Sequence, residues 1–409
     1  MMKKKLLIIN VTANTGSTGR IAEDIGRVAL SCGYDSYFAY GRMARESKCQ
    51  LIRIGNHWDV KLHVLQTRFL DNQCFASSQV TKKLIDEIEK IQPDIINIHN
   101  LHGYYLNIEI LLSYLAKTNI PVVCTLHDCW MFTGHCAHFQ DINCVKWKTL
   151  CYDCPKTRLY PKSFLFDASE RNYLKKKKIF DNLNKLTIVT PSQWLADLVK
   201  ESFLSMHPLH VIYNGVDTEI FKPCVEVSLK EKYQIKDDEK VILGVASVWT
   251  KNKGWNDFLK LSFELNDKIR IVLVGLNKKQ MKMLPSNVIG IMRTENVKEL
   301  SLLYSMADIF VNPTYLDNFP TTNIESLACG TPVITYKTGG SPEAIDKETG
   351  IVVQQGDIES LKNAIYSVLA KGKMYYADKC RLRAEKMYNK HECFASYINL
   401  FKTLMNEVH

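Results

Sequence analysis

The strongest constraint on this chain is a pattern that runs through it twice. Short, unbroken apolar runs alternate with amphipathic stretches of helical period. KLLIINV (5–11), DSYFAY (35–40), DIINIHN (94–100), VVCTLHD (122–128) and LTIVTPS (186–192) carry no helical spacing and read as short strands. Between them, 14–33 reads as a Gly-rich turn opening a helix, with Ile21, Ile25, Val28 and Ala29 on one face and Gly33 at its end. The stretch 80–93 is amphipathic and stops at Pro93. Strands apolar on both faces belong to a parallel sheet covered on both sides by helices. The pattern pauses at HVIYNGVDTEIFKP (210–223), where Asn214-Gly215 marks a turn. It restarts with runs at 240–247, 269–275, 288–292, 308–313, 331–336 and 350–353, and helices at 297–307 and 358–371. The expected architecture is α/β: two doubly wound, Rossmann-like domains, 1–209 and 210–385, whose strand ends point into a deep cleft. The segment 380–408 reads as terminal helices.

Several classes are disfavoured. The N-terminal MMKKKLLIINV imitates a signal peptide, but its apolar run ends at Asn10 with no small-residue cleavage site. Apolar runs fall far short of the roughly 20 residues that span a bilayer. A cytoplasmic location is expected. The net charge is +10, yet the basic residues are scattered. The densest run, Lys175–Lys178, is either a solvated helix face or a patch for anionic lipid. No aromatic-and-basic platform for nucleic acid is visible. Thirteen cysteines without an export signal imply reduced thiols or a metal.

The residues with most chemical content lie at 308–343. DIFVNP (308–313) ends a strand and Asp317 sits on the following loop. Thr321 and Thr322 stand where a helix begins, and Glu325 is placed in its first turn. Free N–H groups at such a helix start suit a diphosphate, while Glu325 could accept hydrogen bonds from ribose hydroxyls and Asp317 from a second polyol. The bland alternative is a capping box, Thr322-x-x-Glu325. Upstream, Gly16, Gly19 and Arg20 form a weaker Gly-rich turn. A dinucleotide fingerprint, with Asp35 as the acid, lacks its first glycine pair. His99, Asn100, His102, His127 and Asp128 lie at or just after strand ends, where a histidine can equally be a core residue. Cys136, Cys144, Cys151 and Cys154 are spaced C-x7-C-x6-C-x2-C, with His135 and His138 interleaved. A structural zinc and a set of buried thiols both stay open, since only one close pair is present.

The order D-x-F-P-x4-E, then ACGTPVI, then GGSPE resembles the nucleotide-sugar-binding segment of retaining glycosyltransferases of the GT-B fold, family 4. The stretches VIYNGVDTEIFKP, ELSLLYSMADIFVNPTY and GVASVWTKNKGWNDFL are similar to the family's interdomain segment, to the helix and strand before its carboxylate pair, and to its basic phosphate loop. The likeness covers nearly the whole chain and is closest to bacterial surface-polysaccharide members with a Cys-rich insertion. It implies that Glu325 binds the donor's ribose, and that Asp317 with Phe319, Pro320, Thr321 and Thr322 holds sugar and phosphates. It also implies that Lys253 neutralises the diphosphate, with Arg20, Gly16 and Gly19 nearby. One departure is plain: Ser247, Val248 and Trp249 stand where the family has an arginine, and Lys251 is the substitute at hand. The resemblance further implies that His127 contacts the donor sugar, oriented by Asp128, and that His99, Asn100 and His102 line the acceptor. It places 386–409 as a helix crossing back to the first domain.

The expected activity is transfer of a sugar, with retained configuration, from a nucleotide-diphosphate sugar to a hydroxyl of a growing, lipid-linked bacterial surface glycan. The expected setting is peripheral, at the inner face of the cytoplasmic membrane. No D-x-D occurs, so no catalytic metal is expected. A GT-B nucleotide-sugar epimerase and an inactive nucleotide-sugar-binding scaffold are the competing readings.

Overall fold

The computed structural model describes residues 3–224 and 227–407. Positions 408–409 of the expected terminal helix therefore lie outside the described residues. The chain forms two compact units: Met1–Tyr213 with Phe394–His409, and Asn214–Cys393.

The first unit holds a seven-stranded sheet. Its strands are β1 (Lys5–Asn10), β2 (Asp35–Tyr40), β3 (Gln50–Arg53), β4 (Ile95–Ile98), β5 (Val122–Thr125), β6 (Leu186–Thr190) and β7 (Leu209–Val211). Their order is β3-β2-β1-β4-β5-β6-β7, and every pairing is parallel. All residues of β4, β5 and β6 are buried, which is why these runs lack alternation. Leu7, Ile9, Ile96, Ile98 and Val122 form the core with the helices Ser78–Ile91 and Ile108–Leu115. The edge strands β3 and β7 and the helix His57–Leu70 were not visible in the sequence pattern.

The second unit holds a six-stranded parallel sheet, β10-β9-β8-β11-β12-β13. These strands are β8 (Lys240–Val245), β9 (Ile269–Val274), β10 (Val288–Ile291), β11 (Ile309–Asn312), β12 (Val333–Tyr336) and β13 (Gly350–Val353). In both sheets the order reverses beside the first strand, between β1 and β4 and between β8 and β11. Ligands of doubly wound sheets bind outside the carboxyl ends of strands at such a reversal. Gly215 lies so close to the Lys390 backbone that a Cβ would overlap it. That contact sits beside the bridge Val216↔Asn389, which separates the helices Lys373–Tyr388 and Lys390–Asn406.

Candidate active site

In the second unit, β11 delivers the chain to Pro313 and then to a loop carrying Asp317. The helix that follows is Thr321–Ala328, with Pro320 at its N-cap and no side-chain cap. The capping-box alternative therefore fails, and Glu325 is the fifth helical residue, beyond the first turn. Its Oε2 accepts a hydrogen bond from the Tyr304 hydroxyl at 3.0 Å. Burial and the neighbouring Glu325 carboxylate push the Tyr304 phenol well up, so it stays a donor. Asp317 accepts from Lys253 Nζ at 2.5 Å. Lys253 closes the short turn Lys251–Lys253, whose successor Gly254 has φ +78° and packs on Pro313. Lys251 is exposed on the same turn.

The Asp317 loop is braced from behind. Gly339 (φ +53°) lies where a Cβ would overlap the Asp317 carbonyl oxygen, and the Gly340 N–H donates to Asn318 O at 2.8 Å. Asn323, fully buried, donates to Ser341 Oγ at 3.0 Å and accepts from Asn312 Nδ2 at 2.8 Å. This network ties the helix start to β11 and to the Gly-Gly turn. Phe319 is buried against Tyr388, with ring centroids 5.7 Å apart. Phe319 thus anchors the loop by its side chain.

In the first unit, Gly16 (φ +70°) opens the helix Gly16–Ser31, and a Cβ there would meet nothing within 4 Å. Gly19 differs: a Cβ would stand 2.7 Å from Thr12 Oγ1, so its bareness serves internal packing. Exposed Arg20 donates back to Gly16 O at 3.2 Å. A pocket of ≈ 500 Å³ lined by Thr15, Tyr40, Arg42, Met43, Ala44, Arg45 and Arg53 opens here, at the carboxyl ends of β2 and β3. Its three arginines, absent from the sequence reading, suit a phosphate-bearing ligand.

The histidines form two chains. Asn97 Nδ2 donates to Val123 O and Thr125 Oγ1, both at 3.1 Å, so its Oδ1 faces His99 as an acceptor. His99 Nε2 lies 2.9 Å from that oxygen and must donate. His99 Nδ1 then accepts from His127 Nε2 at 2.9 Å. Neutral His127 therefore carries its proton on Nε2 and offers Nδ1 as a lone-pair acceptor. Burial holds His99 far below the usual imidazole range, and His127 down at about 4 against the opposing pull of Asp128. The expectation that His99 lines the acceptor is corrected: it is 0% exposed and both ring nitrogens are engaged, so it acts behind His127.

In the second chain, His102 Nε2 is 2.8 Å from Asp128 Oδ2, and its Nδ1 is 2.9 Å from the Tyr160 hydroxyl. Burial alone would raise Asp128, but the His102 ring and the Trp130 N–H pull it well below the usual carboxylate range. Asp128 thus orients His102 directly. Asn100 donates its N–H to Asn10 Oδ1 at 3.1 Å and stays partly exposed. In the lysine run, Lys177 and Lys178 are exposed as a solvated helix face requires, and Lys176 is the exception. Lys176 is buried, with Nζ 3.2 Å from the Trp130 ring centre and donating to Trp130 O and Thr133 O at 2.7 and 2.9 Å. Burial holds it down at about 7. Lys175 and Lys177 pair with Glu109 and Asp181.

Cys136, Cys144, Cys151 and Cys154 do line one small cavity, with His135 and Trp147. Of the two readings the spacing left open, a structural zinc is not supported. Among the described residues no three His, Cys, Asp or Glu side chains are gathered to hold a metal ion. All four are free thiols, and Cys151 Sγ accepts from Gly134 N–H at 3.3 Å. Stacking of Phe139 on Trp147, at 4.9 Å, organises the loop instead.

Comparison with known proteins places this geometry in a class. Residues 53–220 match the family described as Glycosyltransferase Family 4, and 227–387 match Glycosyl transferases group 1, together most of the chain. The chain belongs to these glycosyltransferases, and its two parallel-sheet units are those of the GT-B fold. It is 24% identical over 417 residues to WcaC of Escherichia coli K12, a protein assigned by inference to colanic acid biosynthesis as a glycosyl transferase, covering 98% of this chain and 100% of that one. It is 23% identical to a D-inositol 3-phosphate glycosyltransferase of Mycobacteroides abscessus over 48% of this chain and 46% of that one. Among solved structures, sucrose-phosphate synthase of Thermosynechococcus elongatus aligns with TM-score 0.73 and 17% identity over 99% and 100% of the two chains. Anabaena HepE with UDP aligns with TM-score 0.67 and 16% identity over 98% and 100%. No helix among the described residues is long and apolar enough to cross a membrane.

Proposed function

We propose that this glycosyltransferase takes a nucleotide-diphosphate sugar as donor and extends a bacterial surface polysaccharide, with retention at the anomeric carbon. The observation that carries the donor reading is Glu325, fixed by Tyr304 beside an uncapped helix start and near the Lys253–Asp317 pair. A carboxylate so held accepts vicinal hydroxyls. Uncapped N–H groups and an ammonium stabilise the charge that grows on a departing diphosphate. The UDP bound by HepE and the polysaccharide named for WcaC support the same direction.

The second unit binds the donor through Glu325, Asp317, Lys253 and the backbone of 319–322. The first supplies His127 and Asp128, and its arginine pocket suits an acceptor that carries phosphate. Attack from the face of the departing group retains configuration without an enzymic nucleophile. NMR of the newly formed linkage reads that outcome.

The test is calorimetry of the protein with UDP-, GDP-, ADP- and TDP-sugars, beside Glu325→Ala. One donor should bind, and the variant should bind it about 10–100-fold more weakly, the worth of hydrogen bonds to a charged group. Well-folded protein that binds none of the four would sink the donor reading.

A further inference from the structure

The arginines of the first unit's pocket have no acid to neutralise them. Arg42 and Arg45 follow β2, and Arg53 closes β3 opposite Tyr40 in the sheet register. With Thr15 they line the cavity of ≈ 500 Å³ at these strand ends. Arginine–carboxylate pairs are made by Arg27, Arg270, Arg381 and Arg383 and, among the described residues, not by Arg42, Arg45 or Arg53. Guanidinium groups stay charged at any working pH, so this pocket gathers positive charges whose mutual repulsion an anion relieves. The backbone beneath them is fixed. Arg42 N–H donates to Val11 O at 2.9 Å, Ala13 N–H to Met43 O at 2.9 Å, and Arg45 N–H to Ala13 O at 3.1 Å.

The same contacts tie the pocket to the histidines. Val11, whose carbonyl anchors Arg42, has its side chain where a Gly103 Cβ would stand, only 2.3 Å away. Gly41 packs so closely on the Tyr105 ring that a Cβ would overlap it. The Tyr105 hydroxyl in turn donates to Asn100 O at 2.9 Å. The loop 99–105, which carries His102, therefore lies directly against the loop that carries Arg42 and Arg45. We propose that Arg42, Arg45 and Arg53 hold a phosphate or diphosphate carried by the acceptor, and that only a short glycan separates it from the attacking hydroxyl. The inference rests on the first unit as the acceptor side, as read above. A cluster of guanidinium groups matches a phosphate dianion in charge and in its paired N–H donors, and exceeds what one carboxylate needs. A pocket of this volume takes a phosphate together with the sugar bound to it. Because the arginine loop touches the histidine loop, a long glycan between phosphate and hydroxyl would have to loop out into solvent. The transferase then acts early in glycan assembly. The reaction that supplies its acceptor is a phosphoryl or sugar-phosphate transfer.

Calorimetry of the full-length protein with glucose 1-phosphate, with glucose joined to octanol through a diphosphate, and with glucose tests the site. The phosphorylated probes should bind and glucose should not. Arg42→Ala/Arg53→Ala should weaken their binding at least about tenfold, the worth of one charge-assisted hydrogen bond. Lys253→Ala should still bind them. Should the double variant fail to fold, Arg45→Ala takes its place. Whichever phosphorylated probe binds more tightly names the source of the phosphate, the acceptor sugar itself or its linkage to a carrier, and either order supports the site. In NMR spectra of the histidine rings, bound probe should shift the His102 resonances. Well-folded wild-type protein that binds neither phosphorylated probe, or an arginine variant that binds as well as wild type, would overturn the proposal. So would loss of binding in Lys253→Ala, which would put the anion with the donor. A bound probe that leaves His102 unmoved would overturn the short acceptor. Protein that binds these probes but no UDP-sugar would sink the donor reading and leave this one standing.

Discussion

Glu325 and His127 were legible as candidates in the sequence because each stands in a short motif. The residues that set their chemistry were not. Tyr304 lies 21 positions before Glu325, and Thr125 lies 28 after Asn97. Such partners meet only through strand adjacency, which no local spacing encodes. The Asn97–His99–His127 chain makes a definite prediction at this scale. Long-range proton–nitrogen NMR at pH 7 should show His127 protonated on Nε2 and bare on Nδ1. A protonated Nδ1 in the neutral ring would refute the chain. Asn97→Leu removes the acceptor of a fully buried ring N–H, so it should cost about 1–3 kcal/mol in denaturant unfolding. It should also let the His127 tautomer mix. A merely structural role for Asn97 would give the stability loss and leave the NMR pattern intact.

At the scale of elements, the Gly-Gly turn carries the sharpest expectation. Gly339 combines φ +53° with a Cβ position occupied by the Asp317 carbonyl oxygen. Gly339→Ala must therefore shift the loop that holds Asp317 and its pairing with Lys253. It should cost upward of about 2 kcal/mol, the sum of left-handed strain and overpacking, and weaken donor binding more than tenfold. Unchanged calorimetry and unfolding would show that the loop is not braced there. The same scale explains what the pattern could reveal. The central strands were readable because burial on both faces makes them apolar throughout. β3 and β7 were missed because partial exposure at a sheet edge dilutes that signal. The helix His57–Leu70 was missed because apolar residues lie on both of its sides, Trp58, Leu62, Leu65 and Phe69 exposed and Val60 and Val64 half-buried, which blurs the helical period. The cysteine spacing pointed to four sulfurs that do line one cavity, yet spacing could not say that they stand there as free thiols.

At the scale of the whole molecule, buried titratable groups confine stability to a window of pH. His63 is held at about 3, His127 at about 4, His99 far below its ordinary value and His207 below it, in each case first by burial. For each, the unfolded chain takes up a proton near 6.5 and the folded chain does not. Stability must therefore fall as pH drops below 6.5, and the loss from His127 levels off only near 4. The slope is about 1.4 kcal/mol per pH unit for each fully titrating histidine. The alkaline side is limited by the opposite sign. Burial pushes Cys49, Cys124, Cys380 and Cys393 up to about 12, and Cys151 and Cys329 to about 11. Unfolded thiols ionise near 9, so stability is lost as pH rises beyond that value. Urea unfolding between pH 5 and 10 should thus show a maximum between about 7 and 9, with a steep fall toward pH 5 before most carboxylates titrate. The chain of His99 and His127 supplies much of the acid limb, because burial depresses both rings where they stack. Replacing His99 by Gln should flatten the fall between pH 6.5 and 5 by about one proton's worth of slope. An unchanged slope would mean that His99 titrates alike in the folded and unfolded chains, and that the neutral relay to His127 does not exist.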